Sequence, residues 1–367
     1  MAKRRSVLKG FLVIAVLLLF GGSVACVGRG VSHKEGAPWH HTATGFRNLS
    51  GAPDYDASVP EMIAFGFGRL SEWGREVEVP EGHVIPPDQA LADMRAALTA
   101  DDNDSVTWIG HASHLVNLGG KNILTDPFFA EIASPSPAEA LGLGPRRFVA
   151  PGIALSDLPQ IDIIVASHNH YEHLGAASIE ALPGKDKIHA VVPLGMGAFF
   201  RERGYSRVTE LDWHEQVRDG RVVVTALPTI HFSARSIFDR NEVLWAGYAL
   251  ESGDQKVYFG GDSAYGPVFA ENGKRHGPFD LALVAIGAYD PYSIMKASHT
   301  TPEDAVRLAR DLRAQRVSAM HWGTLAITDE PPFEPPVRFR KAATDQGYGE
   351  DQTWVLAIGE TRILPVD

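Results

Sequence analysis

Four apolar β-type runs between positions 161 and 321 each end on a side chain that can ligate a cation. His168 follows "IDIIVAS", His231 follows "VVVTALPTI", Asp262 follows "KVYFGG" and His321 follows "RVSAM". A chain with this pattern has to fold so that strand ends remote in sequence meet over one sheet edge, because loops there converge over a rigid support. The densest point is "SHNHYEHLG", Ser167 to Gly175, where His168, His170, Glu172 and His173 share six positions. Imidazole nitrogens and carboxylates suit borderline cations such as zinc. His168 and His170, two apart, can face one cation from an extended turn, while Glu172 and His173 can turn to a second. The competing reading is a polar helix start whose histidines face water. Asp262 lies in "FGGDSAYG", where Gly260 and Gly261 let the backbone approach closely. A carboxylate there can bridge two cations about 3.5–4 Å apart, the spacing of two-metal hydrolases. Taken alone, it reads as the cap of a turn.

The remaining pattern predicts an α/β fold. From Ser105 onward short β-type runs dominate: "VTWIG", "HLVNL", "NILTDP", "RVVVTALP", "LWAGYALES", "KVYFGGDS", "DLALVAIG". "GGK" and Ser252-Gly253-Asp254 read as hairpin turns. "IDIIVAS", Ile161 to Ser167, reads as a strand buried on both faces. A helix is predicted from Thr301, with Thr301 as cap, Pro302 in the first turn, and Glu303 and Asp304 complementing the positive helix end. Ala305, Leu308, Ala309 and Leu312 line one face of it. Strands interleaved with helices, with hairpins at both ends, predict two mixed β-sheets packed together and flanked by helices, an αββα sandwich spanning 105–367. Residues 30–104, rich in Gly, Pro and charge, read as an irregular arm packed on that domain, with one helix at Pro86 to Leu98.

Charge and the N-terminus narrow the function classes. The formal net charge of -11 argues against a nucleic-acid surface, although Arg146-Arg147 could hold one phosphate group. Lys3, Arg4, Arg5 and Lys9 precede "FLVIAVLLLF" and "GGSVAC", so residues 1–29 read as a signal peptide, a lipoprotein leader lipidated at Cys26, or a marginal membrane anchor. The expected location is therefore the cell envelope, anchored on the extracytoplasmic face, with plain secretion or an unprocessed apolar tail as alternatives. Cys26 is the only cysteine, so no intrachain disulfide forms, and no Gly-x-Ser-x-Gly elbow is present. Catalysis by a serine or cysteine nucleophile is thus disfavoured.

"TWIGHASHLVNLGGKNILTDPFF", "SHNHYEHLG", "PTIHFSAR", "GGDSAYG", "GPFDLALVAIGAYDP", "SHTTPEDAVRLA" and "MHWGT", in this order, resemble the metallo-β-lactamase-fold hydrolases. The branch they resemble is that of N-acyl-phosphatidylethanolamine phospholipase D and its bacterial relatives, over about Trp108 to Pro336, with a fainter echo at "HHTATGFRN". The resemblance implies the metallo-β-lactamase fold and two Zn2+ per chain. It implies that His168, His170 and His231 hold the first zinc, that Glu172, His173 and His321 hold the second, and that Asp262 bridges them. It also implies that His299, just before the Thr301 helix, faces the substrate and assists catalysis; the structural alternative is a hydrogen bond at a helix start. Glu172 departs from the family pattern, which has Asp. The extra methylene adds roughly 1.5 Å of reach while zinc–oxygen distances stay near 2.0–2.2 Å, so the glutamate has to fold back, the cation has to shift, or the second site is weaker.

Paired cations bring the pKa of bound water to near 7, so the ligands point to hydrolysis by hydroxide, and the resemblance implies a phosphodiesterase of the phospholipase D type acting on N-acyl-phosphatidylethanolamine or a related lipid. The alternatives are a lactonase or small-ester hydrolase, and a metal-binding envelope protein with little turnover. Tyr171 and Arg235 are candidate substrate contacts, each with a packing or salt-bridge alternative. His111 is expected to be structural or to orient a ligand. His33, His83, His189, His214 and His276 are expected to face solvent. Trp213, Phe232, Trp245 and Trp322 are expected in the core.

Overall fold

The computed structural model describes residues 36–73, 75–100 and 104–365. The leader expected at 1–29, with Cys26, and also His33 lie outside the described residues. Among the described residues no helix is long and apolar enough to cross a membrane.

Two seven-stranded sheets carry the fold, as the strand pattern predicts. The first contains β1 (Ser105–Gly110), β2 (Ser113–Leu118), β3 (Lys121–Thr125), β4 (Ile163–Val165), β5 (His189–Pro193) and β6 (Arg207–Leu211), in the order β14-β1-β2-β3-β4-β5-β6. The second contains β7 (Gln216–Asp219), β8 (Val222–Leu227), β9 (Gly247–Ser252), β10 (Gln255–Phe259), β11 (Phe279–Ala285), β12 (Ala314–Met320) and β13 (Thr353–Trp354), in the order β13-β12-β11-β10-β9-β8-β7. The chain returns through β14 (Thr361–Ile363) to the edge of the first sheet beside β1.

Pairing sense is the same in both sheets. From β14 through β1 and β2 to β3 neighbours are antiparallel, and from β3 through β4 and β5 to β6 they are parallel. From β7 through β8 and β9 to β10 neighbours are antiparallel, and from β10 through β11 and β12 to β13 they are parallel. β1 therefore corresponds to β8, β3 to β10, β4 to β11 and β5 to β12. Both predicted hairpins form. Gly119 and Gly120 join β2 to β3 with φ of 58° and 76°, and Gly253, with φ of 58°, opens the turn from β9 to β10, a backbone region in which glycine carries no Cβ penalty.

Side-chain alternation divides the core. Ile163 and Val165 point between the sheets, where they join Val106, Val224, Phe259 and Leu283. Ile164 points outward with Leu124, Ala190 and Val192, under Ala90 and Met94 of the helix Pro87–Thr99. The helix Pro302–Asp311 covers the second sheet: Thr301 Oγ1 accepts from the Asp304 N–H, and Ala305, Val306, Leu308 and Ala309 are buried. One helix of the arm, Val59–Glu72, is not apparent in the sequence pattern. Its Gly66 and Gly68 weaken the helical signal, and Val59, Ile63 and Phe67 stay exposed instead of marking a buried face.

Candidate metal centre

The strand ends that carry the predicted ligands converge. β4 stops at Val165, and the chain is then held by Asp126, just past β3: Ser167 donates to it from its N–H and its Oγ, both at 2.6 Å. Ser167 Oγ also pairs with His168 Nδ1 at 2.8 Å, which leaves Nε2 facing inward. His168 Nε2 lies 2.9 Å from His170 Nδ1, and His231 Nε2 lies 3.4 Å from the same atom. His231 Nδ1 donates to the Ser298 carbonyl at 2.8 Å, fixing the ring. Four ligands held 2.0–2.1 Å from one zinc lie roughly 3.3 Å from each other, so these nitrogens are spaced as one cation requires. Burial, with neighbouring imidazoles, holds His168 well below the ordinary histidine range. It pushes His170 and His231 down to about 3, so all three rings are in the neutral form that ligates.

A second set of donors surrounds Asp262. Gly261, with φ of 56°, carries the chain past Ser167, and a Cβ there would fall 2.3 Å from the Ser167 Cβ. Asp262 Oδ2 then stands 3.0 Å from His173 Nε2, 3.1 Å from His321 Nε2 and 3.8 Å from His299 Nδ1. His173 Nδ1 donates to Asp126 Oδ2 at 2.6 Å, which turns Nε2 toward Asp262. Burial disfavours the Asp262 carboxylate, yet His173 and His321 hold it well below the usual range. Burial likewise opposes charge on His173, but Asp262 and Asp126 hold that ring well above its ordinary value. One donor atom each from His231, Asp262 and His299 lie within 4.8 Å of one another, so Asp262 reaches both sets.

Of the residues predicted from sequence, His168, His170, His173, His231, Asp262 and His321 are thus brought together, with His299 beside them. Glu172 is not: it joins none of the donor groups among the described residues, and its Oε1 lies 3.9 Å from His170 Nδ1. Tyr171 and Arg235 brace the histidine loop. The Tyr171 hydroxyl donates to the Arg235 carbonyl, the guanidinium stacks 4.0 Å over the Tyr171 ring, and Nη1 donates to the Asn169 and Leu174 carbonyls. Two expectations are corrected. His83 and His189 do not face solvent; they are buried, His83 against the Gly323 carbonyl and His189 between Asp219 and Thr209. Trp213, Trp245 and Trp322 are buried as expected, while Phe232 is only half-buried beside His170 and His231.

Two residues of the site, Asp126 and Asn48, are not singled out from sequence, and His111, expected to be structural or to orient a ligand, joins them. Asp126 orients His173; its position in "LTDP" at the end of an apolar run was the available signal. Asn48 clamps His231, donating to its carbonyl at 2.9 Å and accepting from its N–H at 3.1 Å; it closes the "HHTATGFRN" echo. His111 packs 3.9 Å, centroid to centroid, from His321. His40 and His41 both reach Asp212, at 2.6 and 2.8 Å, and so fasten the arm to the domain.

The donor set fits divalent cations. Both Asp262 oxygens, His173 Nε2, both nitrogens of His321 and His299 Nδ1 are buried without a hydrogen-bond partner. Buried polar atoms in a folded protein are nearly always partnered, and orphans gathered at one point are explained by an ion. The profile of a family described as "Beta-lactamase superfamily domain" matches residues 121–322. An uncharacterized protein of Mycobacterium tuberculosis is 38% identical over 244 residues, 65% of this chain and 64% of its own length, so this chain covers just under two thirds of that relative. The N-acyl-phosphatidylethanolamine-hydrolyzing phospholipase D 1 of Caenorhabditis elegans is 36% identical over 297 residues, covering 75% of this chain and 82% of the nematode protein. Among solved structures, the metallo hydrolase Igni18 of Ignicoccus hospitalis matches with a TM-score of 0.53 at 17% identity, over 72% of this chain and 100% of that one.

Proposed function

This chain belongs to the β-lactamase superfamily of metal-dependent hydrolases, and we propose that it is a zinc-dependent phosphodiesterase of the phospholipase D type acting on N-acyl-phosphatidylethanolamine or a related lipid. The observation that carries the reading is the convergence of two histidine sets on the orphaned carboxylate of Asp262. The substrate class is supported by the printed activity of the nematode relative. Further support is a groove of about 340 Å³ that runs up to His231 between Asn48–Tyr55 of the arm and Phe232, Arg240 and Ala297. Exposed Ile63 and Phe67 on the arm helix, and exposed Ile237 and Phe238 in the loop beyond His231, suit a lipid surface. An envelope location, anchored through the N-terminal segment, would place the enzyme at its substrate.

In this reading His168, His170 and His231 would hold one zinc and His173 and His321 another, with the Asp262 carboxylate within reach of both sets. Bound zinc supplies Lewis-acid polarisation of the phosphoryl oxygen and water acidified to near neutral pH. Asp262, fixed by the glycine passage beside Ser167, orients the attacking water. His299, with Nδ1 3.8 Å from Asp262 Oδ2, is placed to hand a proton to the leaving oxygen. Arg235 and Asp126 hold the histidine loop and keep its nitrogens aimed. The test is hydrolysis of N-acyl-phosphatidylethanolamine by the purified protein, read as release of phosphatidic acid, before and after chelation. Chelator-sensitive release supports the reading. Chelator-sensitive hydrolysis of lactones or small esters with none of the lipid would replace the substrate class.

A further inference from the structure

His111 is a buried histidine beside the metal centre that takes no part in the chemistry proposed above. It follows the last residue of β1, its ring is 1% exposed, and neither ring nitrogen has a hydrogen-bond partner. Its backbone, by contrast, is fixed on three sides: the N–H donates to Thr324 Oγ1 at 3.0 Å, and the carbonyl accepts from Trp108 Nε1 at 2.9 Å and from the His321 N–H at 3.0 Å. His111 and His321 both hold left-handed backbone, with φ of 55° and 61°, which disfavours residues bearing a Cβ. The fold thus keeps two strained histidines facing each other and gives neither ring a hydrogen bond. Leaving a buried polar group unpaired is costly. One donor atom each from His111, His173 and His321 lie within 4.8 Å of one another, the same relation that gathers His168, His170 and His231.

The sheet pairing supplies an independent reason. β1 of the first sheet corresponds to β8 of the second. The histidine beyond β8 is His231, which completes the first set; the histidine beyond β1 is His111. Glu172, the acidic residue expected at the second cation, is outside the donor groups, so that cation is one ligand short.

We propose that His111 is a direct ligand of the second cation, so that this cation is held by His111, His173, His321 and the shared carboxylate of Asp262, in the place that Glu172 leaves. This rests on the reading that the centre holds a pair of divalent cations.

The test is zinc titration of the chelator-stripped full-length protein against a competing chromophoric chelator, for the wild type, His111→Asn and Glu172→Gln. Asparagine is chosen because it tolerates left-handed backbone. Two zinc ions in the wild type, with second-site affinity more than tenfold weaker in His111→Asn and unchanged in Glu172→Gln, is the expected result. Two ions of unchanged affinity in His111→Asn, or loss of the second ion only in Glu172→Gln, overturns the inference and leaves the metal centre standing. No bound zinc in the wild type overturns the metal centre itself. A variant-independent measurement covers the case in which His111→Asn fails to fold: anomalous scattering at the zinc edge from zinc-loaded wild-type crystals. A peak about 2.0–2.1 Å from a His111 ring nitrogen is expected. A zinc-loaded centre whose His111 nitrogens contact only water or protein overturns the inference.

Discussion

The two sheets are built alike strand for strand, and they part company at the aspartates beyond β3 and β10. Asp126 is enclosed by its own half of the molecule: Ser167, from the neighbouring strand end, and His173 satisfy it with three short hydrogen bonds. Asp262, at the corresponding place in the second half, has neither oxygen hydrogen-bonded and faces imidazoles from both halves. The same residue type at the same point of the same topology is a brace in one sheet and a candidate bridging ligand in the other. Position in the fold sets which strand ends meet. The immediate donors decide what a side chain there does.

The largest test of that contrast exchanges its two members. Asp262→Ala removes the candidate bridging carboxylate, so activity should fall by at least about a thousandfold with loss of bound zinc, while the melting temperature of the cation-free protein changes little. Asp126→Ala should do the reverse in kind. It strands Ser167 and His173, which should destabilise the fold by about 2–4 kcal/mol and weaken zinc binding roughly 10–100-fold. Thermal melts and zinc titration of the two variants check both. If Asp126→Ala were the one to abolish turnover with an unchanged melt, the assignment of brace and ligand would be reversed.

Acid gives a second handle. In the folded, cation-free chain His170, His231 and His299 titrate at about 3 because they are buried, against about 6.5 when unfolded. Between these values the unfolded chain binds protons that the folded chain does not. Stability should therefore fall as pH drops from 6.5 toward 3, by about 1.4 kcal/mol per pH unit for each ring. His173, held above its ordinary value, is protonated in both states across that window and adds no slope. Denaturant midpoints of the stripped protein at pH 7, 6 and 5 check this; a midpoint that rises with acid would contradict it.

Smaller effects sharpen the picture. Asn48→Ala removes a two-point clamp on the His231 backbone and should cost about 1–2 kcal/mol, with weakening of zinc confined to the first site. Glu172→Asp should change zinc affinity least, by roughly a factor of two, since the carboxylate at 172 stands outside the donor groups.

How much of this was legible follows from where each residue's partners lie. The 168–173 run, Asp262 and His321 could be read because each ends an apolar run, and that pattern is local. The double-glycine hairpin and the Thr301 cap were legible for the same reason. Asp126 was not, because its role consists of bonds to residues more than forty positions away, and in "LTDP" it looks like a turn residue. His111 read as structural or as orienting a ligand because nothing near it in sequence marks a direct one; its relation to His321 exists only once β1 and β12 end side by side. His83 and His189 were placed in solvent because a histidine satisfied by a distant carbonyl or carboxylate looks, in sequence, like one satisfied by water.

The account turns on a cation pair held by seven side chains from the two halves, His111 among them. Elemental analysis of the purified full-length protein, paired with lipid phosphodiester hydrolysis before and after chelation, measures it most directly. Two divalent cations per chain, removed together with activity and restored together on adding zinc, is the predicted result. Protein that carries no divalent cation yet hydrolyses the lipid at the same rate in chelator would contradict it.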